Sequence, residues 1–309
     1  MSRARALGLV LGFAADRALG DPRRGHPVAL FGRVAHALER RCWADNRRAG
    51  LGYTGVLVGA ATGLGVLLER ATAERPVARC AATAVATWTV LGGLTLEREA
   101  LAVHAHLAAD DLPAARRRLT HLVSRDTRAL GADDVARAVV ESVAENTSDA
   151  VVAPLFWGAV AGVPGLLGYR AVNTLDAMVG YRSPRYVRFG WASARADDLA
   201  NLPGARLTGL LVALAAPARA GATLAAWRRD AAAHPSPNAG VVEAAFAGTL
   251  GIRLGGTNDY GSHVEHRAVL GDGPAPRADD VARTVALARR VGVLAAGGTA
   301  ALSLLRSRR

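Results

Sequence analysis

The 309-residue chain contains no lysine, so all 38 of its basic side chains are arginines. This absence excludes the lysine of a P-loop, a Schiff-base or pyridoxal-phosphate lysine, and the ATP-binding lysine of protein kinases. If the protein uses ATP or another phosphate compound, arginine has to supply the positive charge.

Cysteine and aromatic residues are also scarce. The two cysteines, Cys42 and Cys80, form no C-x-x-C pair, which argues against a disulfide framework and against a cysteine zinc site. The net charge of +12 would suit a nucleic-acid binder, but aromatic residues make up only 5% of the chain. The arginines instead cluster between apolar runs, as in loops beside an anionic membrane surface, so we expect no nucleic-acid partner.

Long runs without charged residues are abundant, and a bilayer core takes about 20 helical residues. Four runs carry no charge and a fifth is broken only by Arg219: 49–68, 80–96, 150–169, 291–305 and 207–227. The shorter apolar run at 6–15 is interpreted as a retained, partly buried helix. Alanine- and glycine-rich runs also occur in large soluble bundles, which is the alternative.

The predicted fold is therefore all-α: a multi-pass protein of the cell membrane with four or five membrane-associated helices and cytoplasmic helical loops. Proline and glycine interrupt the run 150–169, which predicts a broken or re-entrant helix. Arginines crowd the loop before residue 49 and end the chain, which places both regions in the cytoplasm. We expect residues 1–309 to form a single membrane-embedded catalytic domain.

A stripe of carboxylates follows one face of a predicted helix at 133–149. Valines recur there at every fourth position, and Glu141, Glu145 and Asp149 recur at the same interval on another face. Carboxylates this close repel one another, so the stripe favours bound cations. With Asn146 beside them, these oxygens suit Mg²⁺ carrying phosphate, although a solvated acidic face is the plainer alternative.

Two further polar clusters follow the run 150–169. Asn173 and Asp176 are three residues apart and would meet on a helix, and Asp197 and Asp198 lie within one turn of Asn201. Adjacent aspartates and a carboxamide at this spacing can share a metal ion. The cap of a helix N-terminus explains the Asp-Asp-x-x-Asn pattern about as well.

These clusters belong to an ordered series of motifs that covers most of the chain. The series includes Asp16-Arg-Ala-Leu-Gly-Asp-Pro22, Arg125-Asp-Thr127, Glu141-Ser-Val-Ala-Glu-Asn146, Tyr169-Arg-Ala-Val-Asn-Thr-Leu-Asp176, Ala194-Arg-Ala-Asp-Asp198, His234-Pro-Ser-Pro-Asn-Ala-Gly240 and Glu243-Ala-Ala-Phe-Ala-Gly248. It resembles the CobD/CbiB family of cobalamin biosynthesis, the adenosylcobinamide-phosphate synthases.

The resemblance implies a membrane ligase that joins the free propionate carboxyl of adenosylcobyric acid to aminopropanol or aminopropanol phosphate. ATP is the implied cosubstrate, because a carboxylate has to be activated before an amine can displace its oxygen. Such chemistry needs Mg²⁺ held by carboxylates, cations on the phosphates, and a base for the incoming ammonium.

Residues of the motifs are candidates for each role. The catalytic candidates are Glu141, Glu145, Asn146, Asp149, Asn173, Asp176, Asp197, Asp198 and Asn201. The metal-ligand candidates among them are Glu141, Glu145, Asp149, Asp197 and Asp198. The candidates for binding substrate or phosphate are Arg125, Asp126, Arg170, Arg195, Arg206 and Asn238.

Other functions remain open at this point. A Mg²⁺-dependent membrane prenyl- or alcohol-phosphate transferase would produce similar acidic clusters but would use a lipid substrate and no ATP. A transporter would explain the broken helix, but it would not explain the paired carboxylates and asparagines. Neither the choice of amine nor the oligomeric state follows from the sequence.

Overall fold

The computed structural model describes residues 2–22, 25–124, 126–259 and 264–305, which form twelve α-helices and a β-hairpin. The helices are α1 (Ser2–Leu19), α2 (Pro27–Cys42), α3 (Arg47–Ala71), α4 (Pro76–Val90), α5 (Gly93–Ala108), α6 (Leu112–Leu119), α7 (Ala132–Thr147), α8 (Ala153–Val179), α9 (Trp191–Ala215), α10 (Ala220–Asp230), α11 (Ala239–Leu250) and α12 (Ala278–Leu305). The antiparallel strands are β1 (Leu254–Asp259) and β2 (Val264–Leu270).

Four helical stretches of the described chain are long and apolar enough to cross a membrane: Arg47–Ala71, Pro76–Ala108, Ala132–Val179 and Ala278–Leu305. A fifth candidate is the pair Trp191–Ala215 and Pro217–Ala233, which is bent by 107°. The predicted all-α, multi-pass membrane architecture is confirmed, with the short hairpin as an addition. The segment predicted as a retained, partly buried helix forms α1.

The chain divides into two compact units. The first unit comprises Met1–Gly92, Asp149–Gly204 and Ala295–Arg309, and the second comprises Gly93–Ser148 and Ala205–Leu294. Each unit carries part of the predicted site residues, so we describe the units separately. That the whole chain acts as a single catalytic domain stays a prediction.

Close backbone approach between α3 and α8 organises the first unit. A Cβ atom at Gly65 of α3 would lie 2.6 Å from the backbone nitrogen of Pro164 on α8, so no larger residue fits there without a shift. Small residues at such crossings are typical of helices that pack within a membrane. Towards the start of α3, the rings of Tyr53 and Phe189 contact each other in the core at a tilt of 43°, with centroids 5.0 Å apart.

The predicted break in the run 150–169 is present within α8. Gly162 has φ 69° and ψ −148°, a conformation that glycine adopts far more readily than other residues, and Pro164 follows it. Glu69 of α3 accepts a hydrogen bond from the Val163 N–H at 3.2 Å, and Arg5 donates to the same oxygen at 3.1 Å. The break is therefore stabilised by side chains. Re-entry of this helix stays a prediction, and the sharper bend lies between α9 and α10.

The second unit is organised around α7 and α11. The valines Val135, Val139 and Val143 of α7 are fully buried, so the predicted apolar face is confirmed. The α-helical spacing ends at Thr147, and a π-helical turn follows at Ser148–Val152. Asp149 therefore lies beyond the regular four-residue spacing that relates Glu141 to Glu145.

The spanning helices lead to a first prediction. We expect carbonate-washed membranes from an expressing strain to retain the protein in the pellet, because its apolar helices bury their side chains in lipid. Immunoblotting of pellet and supernatant measures this. Release into the supernatant would favour the soluble bundle.

Candidate functional site

The first unit contains a network of polar side chains that joins α8 to α9. We call Tyr169, Asn173, Asp197 and Asn201 the Asp197 network. Asn201 donates a hydrogen bond from Nδ2 to Asp197 Oδ2 at 2.9 Å, and Asn173 donates from Nδ2 to Asp197 Oδ1 at 3.4 Å. The Tyr169 hydroxyl lies 2.6 Å from Asn201 Oδ1. The structure thus brings together predicted site residues from two separate motifs.

The position of Asp197 within α9 excludes one of the two interpretations of its motif. α9 begins at Trp191, so Asp197 and Asp198 lie well inside the helix and do not cap its N-terminus. The cap interpretation is wrong for these residues. Asp197 instead bonds to amides on both helices, and Asn201 is buried.

Arg170 and Asp149 adjoin the Asp197 network. Arg170 Nη1 lies 3.4 Å from Asn173 Oδ1, and the guanidinium interacts electrostatically with the carboxylates of Asp21 and Asp149. The Tyr169 hydroxyl also lies 3.1 Å from the carbonyl oxygen of Asp149. Asp21 is an addition to the predicted site residues. Its Gly-Asp-Pro motif belongs to the resemblance, but no spacing in the sequence connects it to Arg170.

Three other predicted residues of this unit make local contacts. Arg195 Nη1 lies 3.5 Å from Asp198 Oδ2, one helical turn away, and 65% of the arginine side chain is exposed. Asp176 packs against Gly180, where a Cβ atom would collide with the Asp176 carboxylate. These contacts stay within one turn, whereas those of Asp197 join two helices.

The second unit contains a small polar cavity of about 230 Å³, which we call the carboxylate cavity. Its polar lining consists of Ser124, Glu141, Ser142, Glu145, Asn146, Glu243 and Arg267. Two of these residues, Glu141 and Glu145, come from the predicted stripe on α7, and Asn146 was predicted to lie beside it. Glu243 of α11 and Arg267 of β2 were missed as site residues. Glu243 belongs to a motif of the resemblance, which was the available signal, whereas only the tertiary fold brings Arg267 beside α7.

Glu141 is held firmly inside this cavity. It is 5% exposed, and its Oε1 atom accepts a hydrogen bond from the Gly255 N–H at 3.0 Å. Arg137 Nε lies 4.0 Å from Oε1, and Arg267 Nη1 lies 3.8 Å from Oε2. One N–H donor and two guanidinium groups therefore already surround the carboxylate.

Glu145 and Asn146 offer oxygen atoms of a different kind at this cavity. Glu145 is exposed, and Asn146 Nδ2 donates to the Ser142 carbonyl at 2.9 Å, which turns the amide oxygen away from that carbonyl. Across the described residues, no three His, Cys, Asp or Glu side chains converge to hold a metal ion. Mg²⁺ often uses only one or two protein carboxylates together with substrate phosphates, and Glu145 with Asn146 fits that pattern.

A second cavity in the same unit, of about 460 Å³, is rich in positive charge, and we call it the arginine cavity. Arg206, Trp227, Arg228 and His234 line it, and its described lining contains no carboxylate. Arg206 Nη1 donates to Asn238 Oδ1 at 2.8 Å, so the structure pairs two residues that were both predicted to bind substrate or phosphate.

His234 connects the two cavities of the second unit. It lines the arginine cavity, and its Nε2 atom lies 3.9 Å from Oε1 of Glu243 in the carboxylate cavity. The Ser236 N–H donates to Nδ1 at 3.0 Å, which leaves the proton of the neutral ring on Nε2, facing Glu243. Burial lowers the pKa of His234 below its usual value of 6.5.

A second prediction concerns this histidine. We expect the His234 imidazole to titrate below pH 6.5, because burial disfavours the charged ring. Since the folded-state pKa is lowered, the ring is neutral at pH 7 and its protonation destabilises the fold as the pH falls through 6.5. NMR titration of ¹⁵N-histidine-labelled protein, with His234→Gln to assign the signal, measures the value. A pKa of 6.5 or above would contradict the prediction.

The motif around residue 126 is only partly described. Arg125 lies outside the described residues. Asp126 is exposed, and hydrogen bonds from the Arg128 side chain and main chain lower its pKa to about 2. Its carboxylate thus contacts a neighbouring residue in its own loop.

The described chain is a multi-pass helical protein in which carboxylates, carboxamides and arginines converge, an arrangement typical of membrane-embedded enzymes. The family described as CobD/Cbib protein matches residues 9–288. The chain belongs to this family.

Curated relatives extend over almost the whole chain. "Cobalamin biosynthesis protein CobD" of Mycobacterium tuberculosis is 54% identical over 291 residues, covering 93% of this chain and 92% of the relative. Proteins of the same name from Rhodobacter capsulatus and Geobacter metallireducens are each 46% identical, covering 91% and 83% of this chain and 92% and 83% of their own lengths. No solved structure matches the chain.

Proposed function

We propose that the protein is the amide-forming ligase of cobalamin biosynthesis in the cell membrane. It joins the free propionate carboxyl of adenosylcobyric acid to aminopropanol phosphate, with ATP as cosubstrate, and yields adenosylcobinamide phosphate. The names of its relatives support the pathway. The observation that carries the reaction is the carboxylate cavity, which combines glutamates with an arginine.

The size and charge of this cavity suit a short amine that also bears an anionic group. A volume of about 230 Å³ is below the roughly 300–1,000 Å³ of pockets that enclose cofactor-sized ligands, so a corrinoid does not fit inside it. Glu145 and Glu243 can bind an ammonium group, and Arg267 can bind a phosphate. Arg267 therefore favours aminopropanol phosphate over aminopropanol, whose hydroxyl end carries no charge.

The chemistry proceeds in two displacements. The propionate carboxylate attacks the γ-phosphorus of ATP, and ADP leaves with the electrons of the broken P–O bond. The free amine then attacks the acyl phosphate carbon, and inorganic phosphate leaves as the amide forms. The ammonium must lose a proton before it can attack, and a glutamate that contacts it can accept that proton.

Glu145 and Asn146 would hold Mg²⁺ at the cavity rim, where the ion would neutralise phosphate charge. Glu141 fits this role poorly because N–H donors and guanidinium groups already surround it. Of the proposed metal ligands on α7, Glu145 is therefore the residue we assign to the ion.

A coupled assay with purified protein in detergent tests the proposed function. Continuous ADP release should require both adenosylcobyric acid and aminopropanol phosphate, because the acyl phosphate formed in the first displacement has to be consumed by the amine before the next turnover. ADP release without the corrinoid, or no release with both substrates, would contradict the ligase. The alternative alcohol-phosphate transferase would need no ATP.

The variant Glu145→Gln gives a third prediction. It keeps the shape of the side chain and removes one negative charge, so turnover should fall at least about 10-fold while the exposed position keeps the fold intact. Raising the Mg²⁺ concentration should restore part of the activity if the residue binds the ion. If the variant has wild-type turnover at every Mg²⁺ concentration, Glu145 belongs to a solvated acidic face and does not bind the ion.

A further inference from the structure

The arginine cavity presents positive charge and an aromatic wall to one space. Arg206 comes from α9 and Arg228 from α10. The indole ring of Trp227 and the imidazole ring of His234 also line the cavity. Two guanidinium groups without a lining carboxylate favour an anionic ligand, and planar guanidinium forks match phosphate oxygens.

The Trp227 ring is fixed in place by its contact with α9. A Cβ atom at Gly209 would lie 2.8 Å from Cζ3 and 2.9 Å from Cε3 of the ring, so the indole lies directly on the glycine backbone. A ring held this way offers a rigid surface on which a planar base can stack. The missing side chain at Gly209 is what allows the close packing.

Arg206 is also oriented before any ligand binds. Asn238 accepts its hydrogen bond at 2.8 Å, and Asn238 itself is 7% exposed. The Asn238 main chain bonds to the Ser236 hydroxyl, and the Ser236 N–H bonds to His234. The loop 234–238 therefore positions an arginine and a histidine at the cavity through one connected set of hydrogen bonds.

The volume separates this cavity from the carboxylate cavity. About 460 Å³ lies within the roughly 300–1,000 Å³ that encloses cofactor-sized ligands, and it is twice the space available beside Glu145. A ligand that combines a planar base with several phosphates would use the ring, the guanidinium groups and the volume together.

We propose that the arginine cavity is the binding site for a nucleoside triphosphate, with the base stacked on Trp227 and the phosphates on Arg206 and Arg228. This inference rests on the proposed function, for which it supplies the location of the ATP. The 3.9 Å contact between His234 and Glu243 connects the lining of this cavity to that of the proposed amine site.

Equilibrium binding of radiolabelled ATP with Mg²⁺ to the full-length protein in detergent tests the site. Arg206→Gln and Arg228→Gln should each weaken binding about 10-fold, as expected for the loss of a charge-assisted phosphate contact. Arg228 is exposed, so its variant keeps the fold even if Arg206→Gln does not. Arg290→Gln removes the same charge from an exposed position on α12 and should bind ATP like the unmodified protein.

Competition experiments with unlabelled compounds show which part of ATP contacts each residue and whether the site prefers a nucleotide to another phosphate compound. Trp227→Leu should weaken ATP binding about 5- to 10-fold and leave tripolyphosphate binding unchanged, because only the base contacts the ring. Displacement of ATP by aminopropanol phosphate as readily as by ADP would overturn the assignment to a nucleotide.

The outcome for this site can be separated from the outcome for the proposed function. Unchanged ATP binding in the Arg228 and Trp227 variants would overturn the site while the ligase reaction stands. An unmodified protein that binds no ATP and releases no ADP with both substrates would overturn the proposed function as well. Weaker ATP binding in both variants, with normal binding in Arg290→Gln, supports the site.

Discussion

Asp197→Asn should lower the rate of the proposed ligase reaction at least about 100-fold, equivalent to about 2.7 kcal/mol in the activation free energy. Both carboxylate oxygens of Asp197 accept hydrogen bonds from amide nitrogens of Asn173 and Asn201. In the variant, one acceptor becomes an NH₂ group that faces another NH₂ group. Asn201 cannot simply rotate, because its oxygen also lies 2.6 Å from the Tyr169 hydroxyl. The network therefore loses both a negative charge and its geometry.

Asp198→Asn is the matched control for this variant. It removes the same charge one residue away, where the contact is with the largely exposed Arg195. Such exposed pairs contribute about 0–1 kcal/mol, so the activity should change by no more than a few-fold. Steady-state turnover of both variants, with size-exclusion chromatography to measure folded protein, tests the contrast. Equal losses in the two variants would show that Asp197 has no special role.

Glu141→Gln should lower the free energy of unfolding by about 3 kcal/mol. The side chain is buried and faces Arg137 and Arg267, and loss of its charge leaves two guanidinium groups beside a neutral amide. The Gly255 N–H can still bond to the amide oxygen, so the charge is the main difference. Thermal unfolding in detergent measures the effect, and the yield of monodisperse protein should fall with it.

Glu145→Gln provides the comparison within the same helix, since this exposed glutamate should change activity with little change in melting temperature. A Glu141→Gln protein that melts like the wild type and is inactive would instead favour a direct role for Glu141 in catalysis. The two variants together separate a glutamate that stabilises the cavity from one that acts in it.

Features that depend on local spacing could be predicted from the sequence. The burial of Val139 follows from a four-residue repeat, and the break at Gly162 follows from glycine and proline within an apolar run. Asp197 was ambiguous because the motif Asp-Asp-x-x-Asn suits a helix cap and a polar network equally. Only the actual start of α9 at Trp191 resolves it.

Features that depend on tertiary contacts could not be predicted. Pro217 in the run 207–227 is a local signal for the end of α9 at Ala215, because proline disfavours helical geometry in the residue before it, but it does not predict the 107° bend to α10. That bend carries Trp227 into the arginine cavity. Likewise, Arg267 belongs to a hairpin whose first strand contains Gly255 and Gly256, a pattern that does not alternate like an amphipathic strand.

The long apolar face of α3 makes the first unit sensitive to the thickness of its lipid environment. The uncharged part of α3, residues 49–68, spans about 30 Å, which matches an average bilayer core. Its exposed side chains include Leu51, Val56, Leu64 and Leu67. A thinner bilayer would favour tilting of this helix. Because Gly65 lies against the Pro164 backbone, such a tilt would pull on α8, which carries Tyr169 and Asn173. The turnover rate of the enzyme in reconstituted vesicles is therefore expected to depend on the acyl-chain length of the lipids.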